Sequence, residues 1–307
     1  MPGRHAAVAP RSTAYPRLRR TGTVRLVARQ TRVSRWQGVA QTRAASGGPM
    51  DAQPTTPTTW PDDVRTLSVD VGGSGFKASV LDSLGQMVAD RVRVDTPYPC
   101  TPERFVEEVS GLVAGLPSHH RASVGFPGLV RSGRVVHVPS LSRREYGGPE
   151  DPELATMWRG FDLAGPLARA FRVPTKVAND ADVQGCAVVR GDGFEFVMTL
   201  GTGCGTALFD NGRLLPHIEL SHAPFRKKET YDIQLGNAAR KEIGNDEWAK
   251  RVVQAIESFD SWLYFDRIYV GGGNAKHLGD AHLGAKAEIV PNTAGILGGI
   301  RIWDLER

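Results

Sequence analysis

Leu67-Ser68-Val69-Asp70-Val71-Gly72-Gly73-Ser74-Gly75-Phe76-Lys77 is the stretch on which the reading of the fold turns. Apolar Leu67, Val69 and Val71 alternate with Ser68 and Asp70, the period of a strand with one buried face. The strand runs into a glycine-rich turn, and a second apolar run occupies 78–81. Asp82-Ser83-Leu84-Gly85 then signals a turn into a third strand over 88–94. The result is a three-stranded meander whose first turn is glycine-rich.

The same arrangement recurs from Phe194 to Leu200. There the turn is Gly201-Thr202-Gly203-Cys204-Gly205-Thr206, the second strand Ala207-Leu208-Phe209, the hairpin Asp210-Asn211-Gly212, and the third strand holds Leu214 and Leu215. Asn-Gly between apolar runs is a strong hairpin signal. Two copies about one domain apart imply a duplicated α/β fold of two lobes, each presenting a glycine turn to a shared cleft.

Between the copies, Thr101-Pro102 has the form of an N-cap with proline at N1, followed by Phe105, Val106, Val109, Leu112, Val113 and Leu116 at helical spacing. Short strands are expected at 122–126 and 175–178, and a helix over 154–171 interrupted by Gly160 and Pro166. In the second half 247–265 reads as a long amphipathic helix. Ile268-Tyr269-Val270 is a strand entering Gly271-Gly272-Gly273, and 292–303 a short helix.

Charge divides the chain. Residues 1–50 hold ten arginines and no Lys, Asp or Glu, which leaves 28 basic and 33 acidic residues from position 51 onward. The positive net charge of the whole chain therefore belongs to the leader, and no nucleic-acid partner follows from it. Residues 1–62 show little periodicity and are expected to be a disordered leader and linker. Three explanations stand for 1–49: a start site placed too far upstream of Met50, an acid-free transit peptide, or an arm that touches anions. No run of 18 apolar residues offers a membrane span. Cys100, Cys186 and Cys204 are far apart and odd in number, which disfavours a disulfide framework and fits a reducing, cytoplasmic setting.

A glycine turn lets backbone N–H groups approach an anion closely. Neither turn is a Walker loop or a dinucleotide turn, because a strand follows each. Two such turns plus the glycine triplet point to a cleft that handles phosphate. Asp70 is either a turn-capping residue or an acid that faces magnesium or phosphate. Asn179-Asp180-Ala181-Asp182 follows a strand. It reads as a helix N-cap or as a general base beside a hydroxyl binder. Glu219 and His222, three apart, are an ordinary loop or a grip for sugar hydroxyls.

These motifs, with Gly125-Phe126-Pro127-Gly128, occur in the order seen in the ROK family of sugar kinases and repressors, which the chain resembles over roughly 65–305. Within that family Gly-Gly-Ser-Gly-Phe-Lys, Asn245-Asp246-Glu247-Trp248 and Asn292-Thr293-Ala294-Gly295 resemble the polyphosphate-dependent glucokinase branch. The resemblance implies an actin-like, ribonuclease H-like fold of duplicated βββαβα units. Residues 63–180 would form one lobe, joined by the helix of 292–305, and 181–291 the other. It implies Asp180 as the base for the sugar 6-hydroxyl, and Asn179, Glu219 and His222 as sugar ligands, with Ser140 where the family often has Asn. It implies Asp70 facing magnesium and the transferred phosphoryl group. Phosphate would lie on Gly72, Gly73, Ser74, Gly75 and Lys77, on Gly201, Thr202 and Gly203, and on Gly271, Gly272 and Gly273. The expected donor is polyphosphate or ATP with Mg2+, the acceptor glucose or a related hexose, and the assembly a homodimer. No zinc is expected, since 223–245 contains no cysteine. A sugar-responsive repressor or a catalytically weakened relative is the alternative, though the leader lacks helix-turn-helix spacing. Lys77, Arg226, Lys227, Lys228, Arg240, Lys241, Lys250 and Arg251 are the cations available to a polyanionic donor.

Overall fold

The computed structural model describes residues 59–291 and 294–305. The expectations for 1–58 and for Asn292 and Thr293 lie outside them. The chain opens with a meander of β1 (Thr66–Gly72), β2 (Gly75–Leu81) and β3 (Val92–Val94), and returns through α1 (Pro102–Val113) to β4 (Arg121–Phe126). A small hairpin, β5 (Leu129–Arg131) and β6 (Arg134–His137), precedes helices α2 (Pro152–Trp158) and α3 (Ala164–Phe171). They lead to β7 (Thr175–Asn179) and, without a break, α4 (Asp180–Val188). The second meander is β8 (Phe194–Leu200), β9 (Cys204–Asp210) and β10 (Arg213–Leu214). After it come the hairpin β11 (Pro224–Arg226) and β12 (Glu229–Thr230), then α5 (Tyr231–Leu235), α6 (Asn237–Ile243) and α7 (Asn245–Leu263). The chain ends with β13 (Arg267–Gly271), β14 (Ala287–Ile289) and α8 (Ala294–Arg301).

Two five-stranded sheets result, ordered β3-β2-β1-β4-β7 and β10-β9-β8-β13-β14. In each, the meander is antiparallel and the last two strands run parallel to the first. This repeated topology is the actin-like, ribonuclease H-like fold.

Local chemistry explains the elements. Thr101 Oγ1 accepts from the Arg104 N–H at 3.2 Å to cap α1, and Phe105, Val109 and Val113 face inward. Phe105 meets Phe76, Phe126 and Trp158 edge-on in the first core. The second core gathers Phe196, Tyr231, Phe259 and Phe265, with Trp248, Val252 and Ile256 presented by α7. A third cluster joins α4 to the C-terminal segment through Val183, Cys186, Ile302 and Trp303. Here a Cβ on Gly298 would fall 1.6 Å from the Val183 carbonyl oxygen, so α8 lies with its backbone against α4. Ser123 Oγ donates to the Gly299 carbonyl and accepts from Trp303 Nε1 at 2.8 Å, which ties this last segment to β4.

Three expectations need correcting. The third strand of the first meander covers only 92–94. Pro166 does not interrupt a helix: it sits in the first turn of α3, where no N–H is demanded, and the break falls at 159–163, where Gly160 takes φ +79°. The disordered leader and linker expected over 1–62 stops short of its end, because Trp60 packs edge-on to Trp303 at 5.5 Å and covers the buried Arg121 guanidinium at 5.3 Å.

Candidate active site

Asp180 sits where β7 becomes α4. Asn179 is the N-cap: its Oδ1 accepts from the Ala181 N–H at 2.8 Å and its Nδ2 donates to the Gly128 carbonyl at 3.2 Å. The N-cap reading of this motif is met by Asn179, and the cap fixes the place of the residue after it. Asp180 Oδ1 accepts from the same Ala181 N–H at 3.0 Å. Burial among protein atoms, followed by the negative charges of Asp70, Asp182 and Glu219, pushes the Asp180 carboxyl up to about 7. A carboxylate with that affinity for a proton is suited to remove one from a hydroxyl near neutral pH.

Asp70 lies opposite Lys77 across the β1–β2 pair, and its Oδ2 accepts from Lys77 Nζ at 3.4 Å. The turn between those strands is only Gly73-Ser74; Gly75 and Lys77 already belong to β2. The carbonyls of this turn are engaged. Gly72 O accepts from Thr96 Oγ1 at 2.7 Å, Gly73 O from Tyr98 Oη at 2.7 Å, and Ser74 O from Arg93 Nη2 at 3.2 Å. Tyr98 Oη is also 3.0 Å from the Ser140 carbonyl, which brings the segment holding Ser140 against the turn. Ser140 Oγ donates to Pro127 O at 3.3 Å.

In the second lobe Gly201, Thr202 and Gly203 form the loop from β8 to β9. The first N–H of α6, at Asn237, donates to the Gly201 and Thr202 carbonyls, both at 3.1 Å, and Asn274 Nδ2 donates to Gly201 O at 2.7 Å. Gly203 is required by contact, because a Cβ there would lie 1.9 Å from Asp232 Oδ1, the acceptor of the Cys204 N–H at 2.8 Å. Gly205 abuts Ala181, so this loop leads to the start of α4. Gly271 closes β13, and Gly272 crosses the backbone of Leu200 next to the same loop. The structure thus gathers Asp70, Asp180 and Glu219 electrostatically, and the Gly201 and Gly271 segments by contact.

Glu219 opens a single 3-10 turn over Leu220–His222; Glu219 is half-buried and His222 exposed. Burial would raise the Glu219 carboxyl, but His217, His222 and His137 hold it below the usual range. His217 escapes a reading of motifs. It is buried, its Nδ1 lies 2.9 Å from Asp182 Oδ1, and its Nε2 lies 3.5 Å from Glu219 Oε1. Burial alone would lower its pKa; the two carboxylates overcome this and hold it up at about 10. The signal available in sequence was one polar residue between Pro216 and Ile218. Thr96, Tyr98 and Arg93 likewise carry no motif that marks them.

Most of the basic residues are engaged with polar neighbours of their own. Arg226 donates to Gln254, Arg251 to Gln234, Arg240 to Asn237 and Asn245, and Lys250 to Glu247. Lys227 and Lys228 form the exposed β11–β12 turn, with φ +50° and +67°. Among the described residues, neither they nor Lys241 enter a hydrogen bond or ion pair.

Among the described residues no three His, Cys, Asp or Glu side chains converge as a metal cage. Magnesium brought by phosphates needs only one or two carboxylates, since waters and phosphate oxygens fill the rest. Asp70, partly exposed beside Asp180 in a region rich in carboxylate, meets that requirement.

The ROK family sequence profile matches residues 66–218. A polyphosphate glucokinase of Mycobacterium tuberculosis is 28% identical over 250 residues, covering 76% of this chain and 88% of its own. That of Mycobacterium leprae is 28% identical over 292 residues, covering 88% and 86%. Among solved structures, an inorganic polyphosphate/ATP-glucomannokinase from Arthrobacter sp. strain KM superposes with a TM-score of 0.64 at 28% identity, over 80% of this chain and all of that one. With the duplicated topology, the capped Asn179-Asp180 junction and the two glycine turns in place, these matches identify a ROK family domain in the chain.

Proposed function

We propose that this protein transfers a phosphoryl group from polyphosphate or ATP to the 6-hydroxyl of glucose or a closely related hexose. The observation that carries the reading is Asp180: one carboxylate, capped into place at a strand–helix junction, with its proton affinity raised to about 7 beside three other carboxylates. The relatives named as polyphosphate glucokinase and polyphosphate/ATP-glucomannokinase support the choice of substrates.

In this reading Asn179, Glu219, His222 and Ser140 hold the hexose, and Asp180 accepts the proton of the attacking hydroxyl. The Gly72–Gly75 and Gly201–Gly203 turns, with Gly271, Gly272 and Gly273 behind the second, hold donor phosphates through backbone N–H groups. Lys77 offsets their charge. Asp70 would hold Mg2+, which when bound neutralises charge on the donor phosphates. Phosphoryl transfer asks chiefly for positioning and charge neutralisation, so few groups suffice. The lobes divide near Asp180, with 63–180 completed by the C-terminal helix and 181–291 forming the second. A cytoplasmic homodimer fits this role, and no helix among the described residues is long and apolar enough to cross a membrane. The test is a matrix of donors (polyphosphate, ATP) against hexoses, run on the purified full chain beside Asp180→Asn. A wild type that phosphorylates no hexose with either donor overturns the proposal.

A further inference from the structure

We infer that His217 is a positioning residue of the hexose site, an imidazole wedged between Asp182 and Glu219 that transmits the orientation of the α4 N-terminal turn to the carboxylate gripping the sugar. The inference rests on the hexose kinase reading of the cleft.

The geometry comes first. Asp182 lies two residues beyond Asp180 on α4 and is buried, and its Oδ1 is 2.9 Å from His217 Nδ1. On the opposite edge of the ring, Nε2 faces Glu219 Oε1 at 3.5 Å, too long for a well-formed hydrogen bond, and it has no other partner. A neutral imidazole carries one N–H and one lone pair, so it would turn a lone pair toward one of the two carboxylates. Only the doubly protonated ring satisfies both. The surroundings agree. His222 and, from β6, His137 also face Glu219, while Glu219 and Asp182 act on Asp180, and Asp70 carries its own cation in Lys77. Within this set His217 is the buried cation, 6% exposed.

The consequence is directional. With Oε1 of Glu219 drawn to His217, Oε2 is left to accept from a hexose hydroxyl. A long apo contact of this kind tightens when the ligand arrives. The Nε2–Oε1 pair would therefore shorten on hexose binding, and a hexose that fails to engage Glu219 would leave it long.

The experiment uses the full chain as wild type, His217→Asn and His217→Asn/Asp182→Asn. Steady-state kinetics give KM for glucose and for ATP. Thermal melts report folding, and nitrogen-15 spectra of the histidine rings in the wild type report protonation. In His217→Asn the glucose KM is expected to rise about tenfold or more, with the ATP KM unchanged and kcat affected less than KM. The double variant removes the uncompensated buried Asp182 charge, so its melting temperature should recover while its glucose KM stays high. In the wild type both ring nitrogens should remain protonated at pH 8, and the Nε2 signal should move on adding glucose. Recovery of glucose KM together with stability would make His217 a packing residue and overturn the inference. A neutral ring at pH 8, or an Nε2 signal indifferent to glucose, would do the same. An active wild type with an indifferent His217 variant defeats this inference alone; a wild type that neither binds nor phosphorylates a hexose defeats the reading beneath it as well.

Discussion

The two glycine turns occupy equivalent places in two copies of one topology, yet they are built from different neighbours. In the first lobe the turn is two residues long, and its carbonyls are taken by Thr96, Tyr98 and Arg93, which lie in β3 and the segment after it. In the second lobe the equivalent strand, β10, has two residues and supplies no such clamp. There the Gly201 and Thr202 carbonyls are taken by the N-terminus of α6, with Asn274 on the first, Gly203 O accepts from the Gly201 N–H, and Asp232 fixes the following N–H. The repeated topology decides where a turn meets the cleft. Which of its carbonyls and N–H groups are occupied, and by what, is settled separately in each copy by whatever packs behind it.

The sharpest break of this pairing is at Asp180, a carboxylate at the strand–helix junction of one copy. Asp180→Asn keeps the Ala181 hydrogen bond but cannot take a proton, so turnover should fall about 10²–10⁴-fold while glucose binding, measured by calorimetry, persists. The pH profile gives a second handle. A carboxyl raised to about 7 is ionised only above that pH, so kcat/KM of the wild type should fall as pH drops below about 7. The stability effect has the opposite sense. Ionising a buried carboxyl weakens the fold as pH rises from the ordinary carboxylate range through about 7. Asp180→Asn should therefore melt higher than wild type at pH 8, and the gap should close by pH 4. Equal melting temperatures at pH 8 would contradict the raised proton affinity.

A smaller effect tests the second turn. Gly203→Ala drives a methyl onto Asp232 and should cost about 1–3 kcal/mol in chemical denaturation, with a raised donor KM. Gly201→Ala meets nothing within 4 Å and should stay within about 0.5 kcal/mol of wild type. Equal costs at the two positions would mean that contact does not shape this loop.

The first turn is tested by Tyr98→Phe, which deletes the hydroxyl shared between Gly73 O and Ser140 O. The expected loss is about 0.5–1.5 kcal/mol, and the donor KM should rise by a few-fold if the clamp orients the turn. An unchanged KM would reduce the clamp to packing.

The smallest effect concerns the donor. Lys227→Ala with Lys228→Ala removes two exposed charges at the β11–β12 turn. The ratio of kcat/KM for polyphosphate to that for ATP should fall, because a polyphosphate chain extends past the point where ATP ends in adenosine. The fall should shrink as salt rises, since screening acts on exposed charges. An unchanged ratio would make these lysines a solvated turn.

Where sequence could be read, the reason was local. Period-2 alternation around Asp70 and the Asn211-Gly212 hairpin encode their conformations within a few residues, and Asn179 announces a cap by its residue type. What escaped depended on long range. Thr96 and Tyr98 reach carbonyls 24 and 25 residues away, and His217 meets Asp182 across 35. No spacing rule joins such pairs. Trp60 is hidden for a related reason: its Pro- and Thr-rich surroundings have the composition of a linker, and Trp303 and Arg121, both distant from it in the chain, give it a place.

The tie between β4 and α8 also sets a timetable. Ser123 and Gly299 are 176 residues apart in the chain, and Trp303 reaches back 180. At about 5–20 residues per second of synthesis, roughly 9–35 s separate the emergence of these partners. Throughout that interval Ser68 and Ser123 on the first sheet wait for Gly299 of α8, and the third hydrophobic cluster has no second wall. The first lobe can collapse around Phe105 as soon as α1 and β4 exist, but its other face is finished only once α8 has emerged, so completion of this fold lags well behind the collapse of its first half.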